Sequence, residues 1–138
     1  MKPEYIVLHH SLTKDSKTVS WAAIRRYHTH CLGWVAIGYH FGIELVGNGY
    51  EIIMGRMMNK IGAHCKGVND RSWGICFVGN FDEEPPENSM LIVGLNLVRS
   101  LLAISDLNKD RVVEHNYFAK YKTCPGKLFP IEDFIKAL

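Results

Sequence analysis

Two short apolar runs in the 138-residue chain finish on histidine. "IVLHH" places His9 and His10 after residues 6–8, and "RVVEH" places His115 after Val112 and Val113. Cys124 follows in the turn-like stretch "KTCPG". A buried strand gains nothing by ending on imidazoles, so either these rings sit in solvent or they turn into a site. If the two runs are neighbours in one sheet, both rings emerge at the same edge, and the cysteine loop can fold back over it. Two imidazoles and a thiolate are good zinc ligands, and three protein ligands leave a fourth position for water. The spacing along the chain is not diagnostic. Strand-end histidines in solvent and a half-buried thiol are therefore the competing reading, and a purely structural zinc clamp would need a fourth ligand, for which only His10 offers itself.

Composition narrows the class. With 47% hydrophobic and 22% charged residues the chain reads as globular, and 138 residues fit one domain spanning 1–138. A formal charge of +2, with Lys and Arg scattered rather than striped, is no nucleic-acid footprint. No apolar stretch reads as a transmembrane span, so no membrane insertion is expected. "MKPEYIVLHH" lacks a signal peptide's apolar region, which points to synthesis in the cytoplasm without one. Cys31, Cys65 and Cys76 form no paired motif with each other or with Cys124, and read as small hydrophobes or free thiols. The expected state is a monomer.

The elements that must position these residues follow from periodicity. Residues 5–8 read as a buried strand. Ser20 is placed to cap a helix in which Ile24, Tyr27, His28 and Cys31 share a face and which Gly33 ends. "YHFGIEL" and "YEIIMGR" read as strands joined by "VGNG", a hairpin turn whose glycines and asparagine accept positive φ. "WGICFVGNF" is an apolar run suited to a central strand. "DEEPPENS" is a loop leading into a helix with Leu91, Leu95, Val98 and Leu102 as one stripe and Leu101 beside it. "PIEDFIKAL" is a terminal helix with Pro130 in its first turn. The order βαβββαβα predicts an α/β fold: a central mixed β-sheet flanked by helices, with the zinc in a groove at the sheet edge.

The stretches "VLHHSLT", "IRRYHTHCLGWVAIGYHF", "GAHCKGVNDRSWGICFVGNF" and "EHNYFAKYKTCPG" occur in the same order in a known family. From about Tyr5 to Pro125 the chain resembles the zinc-dependent N-acetylmuramoyl-L-alanine amidases of the phage lysozyme type, a pattern shared with peptidoglycan recognition proteins. The resemblance implies that His9, His115 and Cys124 hold Zn2+ and that His10 is a neighbour. It implies that Tyr39 lies beside the reacting water and that Lys122 stabilises the tetrahedral intermediate. His64 and Asn69 match positions lining the substrate groove; Trp34 either stacks on substrate or packs under its loop. For His28, His30 and His40 no catalytic part is expected.

The implied reaction is hydrolysis of the amide between N-acetylmuramic acid and L-alanine in peptidoglycan or muropeptides. It would take place on the cell wall after release or on recycled muropeptides in the cytoplasm. A non-catalytic peptidoglycan receptor is the alternative. Three positions depart from the family pattern: Ala36 and Tyr117 stand where many relatives carry acidic residues, and Asn48 precedes Gly49 where aspartate is usual.

Overall fold

The structure, a computed structural model, describes residues 1–13 and 20–138. Five strands form one mixed sheet: β1 (Tyr5–His10), β2 (Phe41–Val46), β3 (Gly49–Met54), β4 (Ser72–Phe77) and β5 (Val112–Glu114), in the order β3-β2-β4-β1-β5. Only the β2–β3 hairpin is antiparallel; β1, β4 and β5 run parallel, as do β2 and β4. Helices α1 (Trp21–Arg26), α2 (Asn88–Ser105) and α3 (Ile131–Lys136) complete the expected order.

The alternation of side chains along β1 assigns its two faces. Ile6 and Leu8 join Trp73, Ile75, Phe77 and the buried sides of α2 and α3 in the larger core. Val7 joins Cys65, Val68 and Val113 on the opposite face, where His9 also points, beyond the end of the apolar layer. Trp21 and Ile24 of α1 pack on that same side against Ile37 and Cys76. The sheet is thus covered by helices on both faces, as expected, and its central strand β4 is buried along its whole length.

Three details of the helices depart from the sequence reading. Ser20 caps α1 through its hydroxyl, which accepts from the Ala23 amide at 3.2 Å. After Arg26, however, the helix widens into a π-helical turn, Tyr27–Cys31. That turn shifts the phase of the apolar face: Trp21, Ile24 and His28 are buried, whereas Tyr27 and Cys31 are exposed. On α2 the buried line is Met90, Gly94, Leu97, Val98 and Leu101, with Leu91, Leu95 and Leu102 only partly covered. Gly94 sets this rotation, because a Cβ there would lie 2.6 Å from the Phe77 ring. The bare backbone admits the ring and draws that side of the helix onto the sheet.

The third departure is that α2 is, at 18 residues and mean hydropathy 1.4, long and apolar enough to cross a membrane. Length and composition alone carry that property. One side of the helix is spent on the core around Phe77, while Ile92 and Ile104 face outwards.

Candidate metal centre

The parallel pairing of β1 with β5 brings their C-terminal ends together. His9 is the penultimate residue of β1, His115 follows β5 directly, and the two rings stand 4.4 Å apart. The loop after His115 returns over them, tied by the Asn116 amide to the Cys124 carbonyl at 3.0 Å. It places the Cys124 sulfur 3.7 Å from His9 Nδ1. One ligand atom from each of His9, His115 and Cys124 lies within 4.8 Å of the others, and all three residues are buried. Two atoms sharing a tetrahedral zinc are about 3.5 Å apart, given bonds of about 2.0–2.3 Å. The nitrogen–sulfur pair already stands near that separation, so the donor set fits such an ion in type and in spacing.

Protonation favours the same use. Burial pushes His9 well below the ordinary histidine range, helped by the neighbouring His64 and His115. Burial likewise brings His115 to about 4 and His64 to about 3. At neutral pH these rings are uncharged and keep a free lone pair. Burial raises the Cys124 thiol to about 12, while the His10 amide, which donates to its sulfur at 3.4 Å, pulls in the other direction.

His64 decides which nitrogen of His9 is free. Its Nδ1 lies 3.0 Å from His9 Nε2, and its own Nε2 lies 3.4 Å from the Ser72 carbonyl. A carbonyl only accepts, so His64 carries its proton on Nε2 and accepts on Nδ1. His9 must then donate from Nε2, which leaves Nδ1 bare and turned towards Cys124. The ring of His64 can lie this flat on the sheet because residue 74 is glycine, where a Cβ would be 2.5 Å from it.

A hollow of about 250 Å³ opens over the cluster. Its lining includes His28, Trp34, Tyr39, His64 and Lys122 besides the three donors. Tyr39 stands 5.2 Å from His9, ring to ring. Burial, with the thiols of Cys76 and Cys124 close by and a hydrogen bond to Cys76, raises its phenol well above the ordinary tyrosine range. Tyr39 therefore keeps its proton at neutral pH. Lys122 reaches the hollow from the cysteine loop, its ammonium 5.9 Å from the Tyr121 ring.

Asn69 is placed differently. Its carboxamide oxygen accepts from the His64 and Cys65 amides, both at 2.8 Å, which shapes the loop carrying His64 and leaves Asn69 off the lining of the hollow. His10 turns to the other face, where its Nδ1 accepts from the Phe81 amide at 3.2 Å, so it is not a fourth donor. His40 is fully buried and spent on the Gly74 amide and the Lys60 carbonyl.

His28, for which the sequence predicts the inner face of the helix but no catalytic part, stays buried on the π-helical turn. Its Nδ1 accepts from the Gly38 amide at 3.1 Å, which puts its proton on Nε2, and the ring lines the hollow between Trp34 and Tyr39. A second hollow of about 280 Å³ lies beneath the β4–α2 loop, with Glu83, Glu84 and Glu87 at its margin and no histidine or cysteine in its lining.

A family model described as N-acetylmuramoyl-L-alanine amidase matches residues 1–127. Peptidoglycan-recognition protein SC1a of Drosophila melanogaster is 30% identical over 127 residues, covering 88% of this chain and 67% of that protein. The endolysin of Klebsiella phage KP32 is 37% identical over 98 residues, 70% of this chain and 62% of its own length. The solved structure of N-acetylmuramoyl-L-alanine amidase LysC from Clostridium intestinale URNW superposes with a TM-score of 0.85 at 32% identity. That match covers 96% of this chain and 83% of that one.

Proposed function

We propose, on the premise that the chain belongs to the N-acetylmuramoyl-L-alanine amidase family, that it is a zinc-dependent amide hydrolase of peptidoglycan. The bond cut joins the N-acetylmuramoyl group to L-alanine of the stem peptide. The observation that carries this reading is the buried His9–His115–Cys124 cluster at the floor of a hollow that also presents Tyr39 and Lys122.

His9 through Nδ1, His115 and Cys124 would hold the ion. When bound, zinc would supply Lewis acidity towards the amide carbonyl and towards water. The protein's own groups do the rest. His64 holds His9 in the tautomer that binds. The Tyr39 phenol, protonated and fixed by Cys76, offers its oxygen lone pairs to orient the attacking water. The Lys122 ammonium faces the oxygen that gains charge as the carbonyl carbon becomes tetrahedral. His28 Nε2–H and Trp34 form the wall against which the glycopeptide would lie, while Asn69 contributes by shaping the His64 loop. The substrate is wall peptidoglycan or a muropeptide derived from it, and residues 1–138 form the amidase domain.

Digestion of defined muropeptides, followed by mass spectrometry, tests the reading. Release of a peptide beginning with L-alanine is expected. Tight muropeptide binding without release by the zinc-loaded protein would identify a receptor instead, a role in keeping with the recognition proteins among the relatives.

The His64 role has its own measurement. His64→Phe keeps a flat ring but removes the acceptor for His9 Nε2–H. Zinc affinity, measured by chelator competition, should fall by roughly 10–100-fold, the usual cost of losing a hydrogen bond to a ligating imidazole. Unchanged affinity would return His64 to the groove wall alone.

A further inference from the structure

Arg56 follows β3 and lies outside the hollow, yet all three of its guanidinium nitrogens are committed to main-chain carbonyls around the site. Nε donates to Ile37 at 2.7 Å, one terminal nitrogen to Ile61 at 2.7 Å, and the other to Ala36 at 3.3 Å. Its backbone amide adds a fourth bond, to the Tyr39 carbonyl at 2.9 Å. Among the described residues no carboxylate is within ion-pair distance of it. Burial lowers its pKa, so the charge is partly desolvated without a counter-charge. A partly buried cation satisfied only by carbonyls is an unusual investment, and its worth lies in what the carbonyls belong to.

They belong to two separate wings of the site. Residues 36–39 carry Tyr39 and offer the Gly38 amide to His28. Residues 61–64 carry His64, the partner of His9. The wings touch each other directly through the Ala63 amide and the Gly38 carbonyl at 2.9 Å, where a Cβ on Gly38 would lie 2.3 Å from the Ala63 oxygen. Arg56 spans this seam with a rigid, planar fork. A lysine could reach one side of the seam but not both, because its donors radiate from one nitrogen.

We propose that Arg56 is a positioning residue: its guanidinium clamps the Tyr39 wing to the His64 wing and thereby fixes the phenol over the metal ligands. The catalytic consequence rests on the amidase reading, whereas the clamp itself does not. Misplacing a reacting group by about an ångström can cost about 100-fold in rate.

The experiment compares wild type, Arg56→Lys and Arg56→Ala, each loaded with zinc. Arg56→Lys should lose roughly 30–100-fold in kcat on a defined muropeptide, with KM within about threefold and zinc still at one equivalent. Millimolar guanidinium chloride should restore part of the turnover of Arg56→Ala and none of that of Arg56→Lys. Independently of turnover, the NMR signals of the 13C-labelled Tyr39 ring, shifted by the nearby His9, His28 and Trp21 rings, should move towards ordinary tyrosine positions in Arg56→Lys. The remote Tyr5 ring serves as the control. If the wild type releases no peptide, the amidase reading fails, and the Tyr39 signals alone decide the clamp. Unmoved Tyr39 signals in Arg56→Lys overturn the proposal, as does kcat within twofold of wild type. Failure of both variants to fold would assign Arg56 to stability alone and equally overturn it.

Discussion

Cys124→Ser should emerge from dialysis with little or no zinc and with turnover near background. Apparent zinc binding free energies of roughly 10–16 kcal/mol are shared among the ligands of a site, so one ligand carries a few kcal/mol, or about 100- to 1,000-fold in affinity. His115→Ala should behave in the same way. Neither change reaches the large core around Phe77, so far-UV circular dichroism should be unaltered. Proton release provides a second readout. His115 at about 4 and His9, held well below its ordinary range by burial, are already neutral at pH 7 without metal, whereas the Cys124 thiol at about 12 is protonated. Zinc uptake by the wild type should therefore release about one proton, seen by calorimetry in buffers of different ionisation enthalpy, and Cys124→Ser should release none. Full metal retention by both variants would dismiss the site.

The other large effect is expected at Lys122. In the proposed reaction its ammonium would oppose negative charge that exists only as the carbonyl carbon becomes tetrahedral, so its removal should lower kcat and leave KM nearly unchanged. Lys122→Met preserves the stem and spares the ligands, and a fall of about 100-fold or more is expected, the size of a lost oxyanion donor. Tyr39→Phe should also slow turnover at constant zinc content, since only the hydroxyl that bonds Cys76 is removed. Stem-peptide release, zinc content and muropeptide affinity are measured together. Wild-type kcat in both variants would remove these residues from the reaction.

The sheet and the donor set were legible because they depend on short-range chemistry. Apolar runs that end on histidine, a glycine–asparagine hairpin and one cysteine in a polar turn each carry a local signal. Parallel pairing of β1 and β5 then does what the strand ends imply. What escaped depends on long-range or non-apolar geometry. A hydrophobic stripe cannot announce Gly94, whose value is the absence of a side chain against Phe77. Regular helical periodicity placed Tyr27, His28 and Cys31 inside with Ile24, and with the π-helical turn only His28 of the three stays there. The direction of His64, inward to His9 as well as onto the hollow, follows from the space left by Gly74 in the following strand, β4. Arg56 ends a strand motif and looks like an ordinary surface cation until its carbonyl partners are seen.

The exposure of Cys31 at the end of the π-helical turn has a practical use. It is the one exposed thiol of the four, since Cys65, Cys76 and Cys124 are buried. A maleimide dye should therefore attach at this position in preference to the three buried thiols of the zinc-loaded protein, without mutating them. The label would sit on the same turn that delivers His28 and just ahead of Trp34 at the mouth of the hollow. Native protein labelled in one step should then report muropeptide arrival at the hollow as a change in dye emission, before any bond is cut.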